Sequence, residues 1–112
     1  MKAYVLKSCD TCRKALKALR EAREDIEVVD IRADGLDTAE VARIVDAVGY
    51  EKALNRSSLT WRSLDEPDKR DLDDVRAVQL ITAHPTLMKR PVLTDGHTTT
   101  VGWKDDAKAT WL

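Results

Sequence analysis

Residues 3–31 read AYVLKSCDTCRKALKALREAREDIEVVDI, and the way this stretch divides decides the fold. "AYVL" (3–6) is a short apolar run with a β-branched and an aromatic residue, the profile of a buried strand. "DTCRKALKALREARED" (10–25) follows with Cys12, Leu16, Leu19 and Ala22 at helical spacing and a basic, acidic opposite face. Asp10 or Thr11 is placed to cap its first turn. "EVVDI" (27–31) is again a strand. Strand, helix of about four turns and strand make a β-α-β unit, so the two strands should run parallel with a right-handed crossover.

Moving outward, Asp34-Gly35 turns the chain, and "DTAE" (37–40) has the form of a capping box, with Asp37 reaching forward and Glu40 back. Val41, Ile44, Val45 and Val48 give the next helix one apolar face, and Gly49 stands where a C′ glycine would stop it. From Tyr50 to His84 the signals are helical and polar by turns, with no clear strand. Asp73 and Asp74 favour a helix start, Val75, Ala77, Val78, Leu80 and Ile81 supply its apolar positions, and Pro85 ends it. In the last third the period changes to two: "PVLT" (91–94), the Asp95-Gly96 pair and "TTTV" (98–101) predict a β-hairpin. "KDDAKATWL" (104–112) closes the sequence as a short helix. The order is β-α-β, a helical middle, then β-β-α, an α/β fold with its sheet at the two ends of the sequence.

Both cysteines of the chain lie at the first strand–helix junction. Cys9 precedes the helix, so its sulfur faces the free N–H groups of the first turn, where the positive end of the helix dipole favours thiolate over thiol. Lys7 and Arg13 would add to this effect and Asp10 would oppose it. Cys12 lies one turn further on, within reach of a disulfide. Cys9 could therefore attack an oxidised substrate and Cys12 resolve the mixed species. Cys12 also shares a face with Leu16 and Leu19, and a free cysteine packs well as a small hydrophobe. A zinc site would need about four ligands. Only His84 and His97 could join the pair, and the spacing fits no standard finger.

The composition bounds these readings. At 112 residues a single domain is expected, large enough to bury one core. Nineteen basic and twenty acidic residues are intermixed to a net charge of −1, which is not the footprint of a nucleic-acid binder. The stretch "DEPDKRDLDD" (65–74) reads as a solvated connection between helices. No apolar run is long enough to span a bilayer or to form a secretory core segment, so no membrane partner is expected. The cytoplasm is the expected compartment, where disulfides are transient and used for chemistry. A monomer is the expected state.

The segments "CDTCRKAL" (9–16), "GLD" (35–37), "LNRSSLTWRSL" (54–64), "HPTLMKRPVL" (84–93) and "VGW" (101–103) together resemble the arsenate-reductase-related family. That family comprises the glutathione-dependent arsenate reductases (ArsC), the Spx-type regulators and the YffB-type thiol reductases, and the last are the nearest match. The motifs stand in the family's order and cover nearly the whole chain. The resemblance implies one thioredoxin-like domain over 1–112: a mixed four-stranded sheet with a helical insertion at about 38–84. It implies Cys9 as the nucleophile, Arg62 and Arg90 pointing into its site, and a cis proline at Pro91. Read alone, an arginine in "TWRSL" or "MKRPV" is ordinarily a surface residue. Two guanidinium groups beside a thiolate, with Arg13 on the first helical turn, would lower its pKa and bind an anion. Trp61 and Trp103 are expected as core or pocket wall.

Two departures bear on function. The arsenate reductases carry a third arginine after the hairpin, where this chain has "VGW". They also have a non-cysteine residue where this chain has Cys12, whose C-x-x-C form instead matches the Spx-type redox switch. The expected activity is thus a thiol-dependent oxidoreductase with glutathione as co-substrate, no bound cofactor and no metal. Its partner would be a small-molecule or protein disulfide, with glutaredoxin a candidate reductant. Arsenate reduction and a redox-sensing regulator of RNA polymerase are the alternatives.

Overall fold

A computed structural model describes residues 1–23 and 25–112. Its chain divides into two compact units, one formed by Met1–Asp34 with Arg90–Leu112 and the other by Gly35–Lys89. The stretch of about 38–84 expected as a helical insertion lies within the second of these units.

The first unit carries the sheet. Strand β1 (Lys2–Val5) leads through helix α1 (Asp10–Ala22) to β2 (Glu27–Asp30), and the two strands pair in parallel, Ala3 beside Val28. A β-α-β connection enforces that direction, because the crossover helix returns the chain to the same end of the sheet. The expected helical stretch 10–25 runs over Glu24, which lies outside the described residues. Strands β3 (Val92–Thr94) and β4 (Thr99–Val101) form the hairpin, and β3 adds antiparallel to β1 with Ala3 opposite Leu93. The spatial order is β2-β1-β3-β4.

The hairpin turn differs from the expected Asp-Gly centre. The Asp95 N–H donates to the Thr98 carbonyl at 3.2 Å, so the two central residues are Gly96 and His97. Gly96 takes φ +93°, the positive value that the first centre of a type II′ turn demands. Asp95 stands ahead of the turn and its carboxylate accepts from the N–H groups of His97 and Thr98. The Thr98 N–H, then the His97 N–H, hold its carboxyl below the ordinary range.

Around Ala3, Val5 and Leu93 the core of this unit gathers Cys12, Leu19 and Trp111, with Leu16, Ile26, Val28 and Trp103 packed at its rim. Ala15 is buried and Ala22 exposed, the reverse of the expected stripe. Positions 12, 15 and 19 follow the 3.6-residue period more closely than 12, 16, 19 and 22 do over this length. Trp111 closes the core from the last helix (α6, Asp105–Trp111). Its indole N–H donates to the Thr100 hydroxyl at 2.8 Å, which satisfies the one polar atom of a buried ring.

The second unit is helical. It comprises α2 (Thr38–Val48), α3 (Tyr50–Ala53), α4 (Leu59–Ser63) and α5 (Asp74–Ala83), with 3-10 turns at Glu66–Lys69 and Pro85–Leu87; in chain order α6 follows β4. Asp37, Ser58 and Asp73 cap α2, α4 and α5, each accepting a first-turn N–H at 2.7–3.1 Å, as short oxygen-bearing side chains do at helix starts. Gly49 ends α2 with φ +83°, a conformation glycine adopts without steric cost. The apolar faces of α2 (Val41, Ile44, Val45) and α5 (Ala77, Leu80, Ile81) bury each other. Val75, expected on that face, is exposed. A single antiparallel bridge, Leu54 to Met88, lies where no strand was expected. Lys89 N–H to Ala53 O and Asn55 N–H to Leu87 O, at 2.8 and 2.7 Å, bracket it.

Candidate active site at the mouth of α1

Strand β1 ends at Val5, and the chain reverses through a turn closed by the Cys9 N–H on the Leu6 carbonyl at 2.9 Å. Cys9 itself is the N-cap residue of α1, with extended φ −87° and ψ 117°. Asp10 and Thr11, either of which was expected as the cap, are instead the first two helical residues. The Cys9 carbonyl accepts the first helical bond from the Arg13 N–H at 3.1 Å. The cysteine therefore occupies the position that Ser, Asp or Asn usually takes, facing the free amides of the first turn.

The Cys9 side chain makes no capping bond of ordinary geometry, but its electrostatics are decided by what lies near. Partial burial raises its pKa; the Cys12 N–H, the Cys12 thiol and the charge and N–H groups of Arg90 outweigh burial and bring it below the ordinary 9.0. Cys12 goes the other way. It is 1% exposed, and burial first, with the adjoining Cys9 sulfur, pushes its thiol up to about 12. One member of the pair is disposed to ionise and the other to keep its proton. Both are free thiols.

Arg90 reaches this place because of the sheet register. β1 and β3 pair Tyr4 with Val92, and Arg90, two residues before Val92, lies just outside that antiparallel ladder at the end of β1 from which the cysteine turn starts. Arg90 is half-buried, and Pro91, which follows it through a cis peptide bond, is buried with its carbonyl accepting from the Gly102 N–H at 2.9 Å. Arg13 lies on the exposed side of the first turn and pairs with Asp10. The pairing takes up the one acidic side chain expected to oppose the thiolate. Arg62 belongs to the second unit, exposed on α4. The structure thus gathers Cys9, Cys12, Arg90 and Pro91, and leaves Arg13 engaged on the helix surface.

Two features escaped the sequence reading. Asp30, at the end of β2, is 5% exposed. It accepts backbone N–H groups from Lys7 at 3.1 Å on one oxygen and from Arg32 and Ala33 at 2.9 Å on the other. The Ala33 N–H, with those of Arg32 and Lys7, outweighs burial and holds its carboxyl below the ordinary range. The signal in the sequence was an acidic residue between Val29 and Ile31, within the apolar part of the strand that follows Glu27. In the second unit, an open groove of about 550 Å³ is lined by Glu51, Leu54, Asn55, Arg56, Ser57 and Lys89. Arg56 and Lys69 stand 5.9 and 5.7 Å from the centre of the Trp61 ring, within range of a cation–π attraction. That ring is half-buried.

A four-stranded mixed sheet with a cysteine capping the first helix and a cis proline opening the third strand defines a thioredoxin-like fold. The model of the ArsC family matches residues 4–110, and the chain belongs to that family, a group of arsenate-reductase-like thiol oxidoreductases. A curated protein of Haemophilus influenzae, named only as uncharacterized, is 35% identical over 102 residues, covering 91% of this chain and 90% of its own. Among solved structures, the YFFB protein superimposes with a TM-score of 0.91 at 40% identity, covering 99% of this chain and 97% of that one. An arsenate reductase (ArsC) related protein from Brucella melitensis gives a TM-score of 0.75 at 33% identity, with 98% and 92% covered. Among the described residues, no helix is long and apolar enough to cross a membrane.

Proposed function

We propose that the protein is a glutathione-dependent thiol–disulfide oxidoreductase in which Cys9 attacks and Cys12 resolves. The observation that carries this reading is the placement of two free thiols in one helical turn, the outer one at the N-cap beside Arg90 and the inner one buried.

The Cys9 thiolate attacks one sulfur of a substrate disulfide. A bond forms between Cys9 and that sulfur, the substrate's own S–S bond breaks, and the leaving thiolate takes a proton from solvent. Burial still disfavours ionisation of Cys12, but the negative sulfur that helped to raise its pKa is now a neutral disulfide. Cys12 gives up its proton and attacks Cys9, releasing the second half of the substrate as a thiol and forming the Cys9–Cys12 disulfide. One glutathione thiolate opens that bond and a second displaces the first, yielding oxidised glutathione and two protein thiols. Arg90 stabilises the Cys9 thiolate at the start and end of the cycle and offers a charged fork to a carboxylate of glutathione.

Arsenate as the oxidised substrate is the second reading, favoured by membership of the ArsC family. With "VGW" in place of the family's third arginine, one charge-assisted contact to the oxyanion is missing, so turnover of arsenate in a glutaredoxin-coupled assay should be weak beside that of a disulfide.

Mass spectrometry of the oxidised protein tests the main reading. Without glutathione the Cys9–Cys12 disulfide is expected, and with limiting glutathione an adduct on Cys9. In the reduced protein, alkylation of Cys9 should show a pH midpoint below the free-thiol value of about 8.5. A midpoint at or above that value, or oxidation that leaves both thiols free, overturns it.

A further inference from the structure

Asp30 is the one buried charged side chain among the described residues, and the turn it begins does not account for it. A buried carboxylate is costly unless hydrogen bonds compensate. The turn after β2 uses only one of its oxygens, which accepts from Arg32 and Ala33. An asparagine would serve that turn equally well, since its carbonyl oxygen accepts two bonds. The requirement for a carboxylate comes from the second oxygen, which accepts the Lys7 N–H. In a continued parallel ladder that N–H would find a carbonyl of β2. The last ladder bond is Ile31 N–H to Val5 O at 2.9 Å, and there β2 turns away. The side chain of Asp30 replaces the missing carbonyl.

We infer that Asp30 is a positioning residue for the nucleophile: it fixes the Lys7–Cys9 loop from below and so sets the Cys9 sulfur against the mouth of α1 and Arg90. This rests on the redox reading above. The loop is held at two points, residue 7 by Asp30 and residue 9 by the Leu6 carbonyl. With the first released, residues 7 and 8, both exposed, keep only the second. The charged groups on this side are Lys7, Arg32 and Asp34, whose carboxylate accepts the Asp30 N–H at 2.9 Å. Cys12 and Arg90 face the sulfur from α1 and the start of β3.

Asp30→Asn keeps the turn and breaks the loop bond, because the amide NH₂ then faces the Lys7 N–H, donor against donor. The pH midpoint of Cys9 alkylation, read on the Cys9 peptide alone, should rise by about half a unit, close to a threefold shift of the thiol–thiolate equilibrium. Loss of a negative charge by itself would lower the midpoint, so the two effects have opposite signs. Asp34→Ala loosens the same turn without touching Lys7, and by removing a negative charge should leave the midpoint unchanged or slightly lowered, not raised. Lys7→Pro removes the N–H from the donor side, and compared with Lys7→Ala it should reproduce the rise. That comparison decides the matter if Asp30→Asn does not fold. An unchanged or lowered midpoint in Asp30→Asn, or an equal rise in Asp34→Ala, overturns the inference. A wild-type midpoint at or above about 8.5 overturns the redox reading itself, a separate outcome visible before any variant is made.

Discussion

The mouth of α1 and the base of its first turn lie three residues apart and treat the same side chain in opposite ways. At the mouth, Cys9 is half-buried, faces the Cys12 amide and has Arg90 for a neighbour, and its pKa falls. At the base, Cys12 is sealed among Ala3, Val5, Leu19 and Leu93, and its pKa climbs to about 12. The difference teaches that the C-x-x-C spacing supplies proximity, while burial and one nearby cation set which thiol ionises more readily. The charge of Arg90 reaches both sulfurs, but only Cys9 also takes its hydrogen bond, and solvent access separates the two further.

Four variants break or sharpen this contrast. The largest effect belongs to Cys9→Ser, which should abolish thiol–disulfide exchange, because a serine hydroxyl stays protonated where the thiol ionises. Next comes Arg90→Met, which removes the charge and keeps the stem. The alkylation midpoint of Cys9 should rise by about one unit, a tenfold shift of its thiol–thiolate equilibrium toward the thiol.

Cys12→Ala acts on the other half of the contrast. In the reduced protein Cys12 has a folded-state pKa raised from 9.0 to about 12, so its contribution to stability is complete below pH 9 and is lost as pH rises toward 12. Denaturant melts of wild type and Cys12→Ala should therefore converge above pH 9, by up to about 1.4 kcal/mol for each pH unit. Cys9 has the reverse sign: its lowered pKa supports the fold above pH 9, and that support fades as pH falls through the folded value. The smallest effect is expected of Arg13→Ala. An exposed ion pair with Asp10 is worth about 0–1 kcal/mol, and the Cys9 midpoint should move far less than in Arg90→Met. A shift as large as that of Arg90→Met would put Arg13 into the site after all.

The parts of the molecule legible in the sequence are those governed by local rules. The β-α-β unit announced itself through period and length, and the caps at Asp37 and Asp73 and the stop at Gly49 through single residues with one structural use. The junction that carries Cys9 followed from these. Three features resisted for different physical reasons. Which face of α1 turns inward depends on a few degrees per residue, so Ala15 and Ala22 exchanged roles. Whether Arg13 serves the cysteine or its neighbour Asp10 is a competition between close partners that spacing does not settle. The bond from Asp30 to Lys7 spans 23 positions and joins residues that belong to no common motif. Arg90 was found through family resemblance; its path to the site is a matter of strand register, which hydrophobic pattern alone does not give.

The pairing of β1 with β3 brings together segments roughly 90 residues apart, a loop closure of about 4 kcal/mol in chain entropy. Arg90 is synthesised long after Cys9, so the sulfur lacks that neighbouring charge until β3 has docked on β1. The amide and thiol of Cys12 are local and need no such docking, so sheet closure adds the distant part of the electrostatics to a local part already in place.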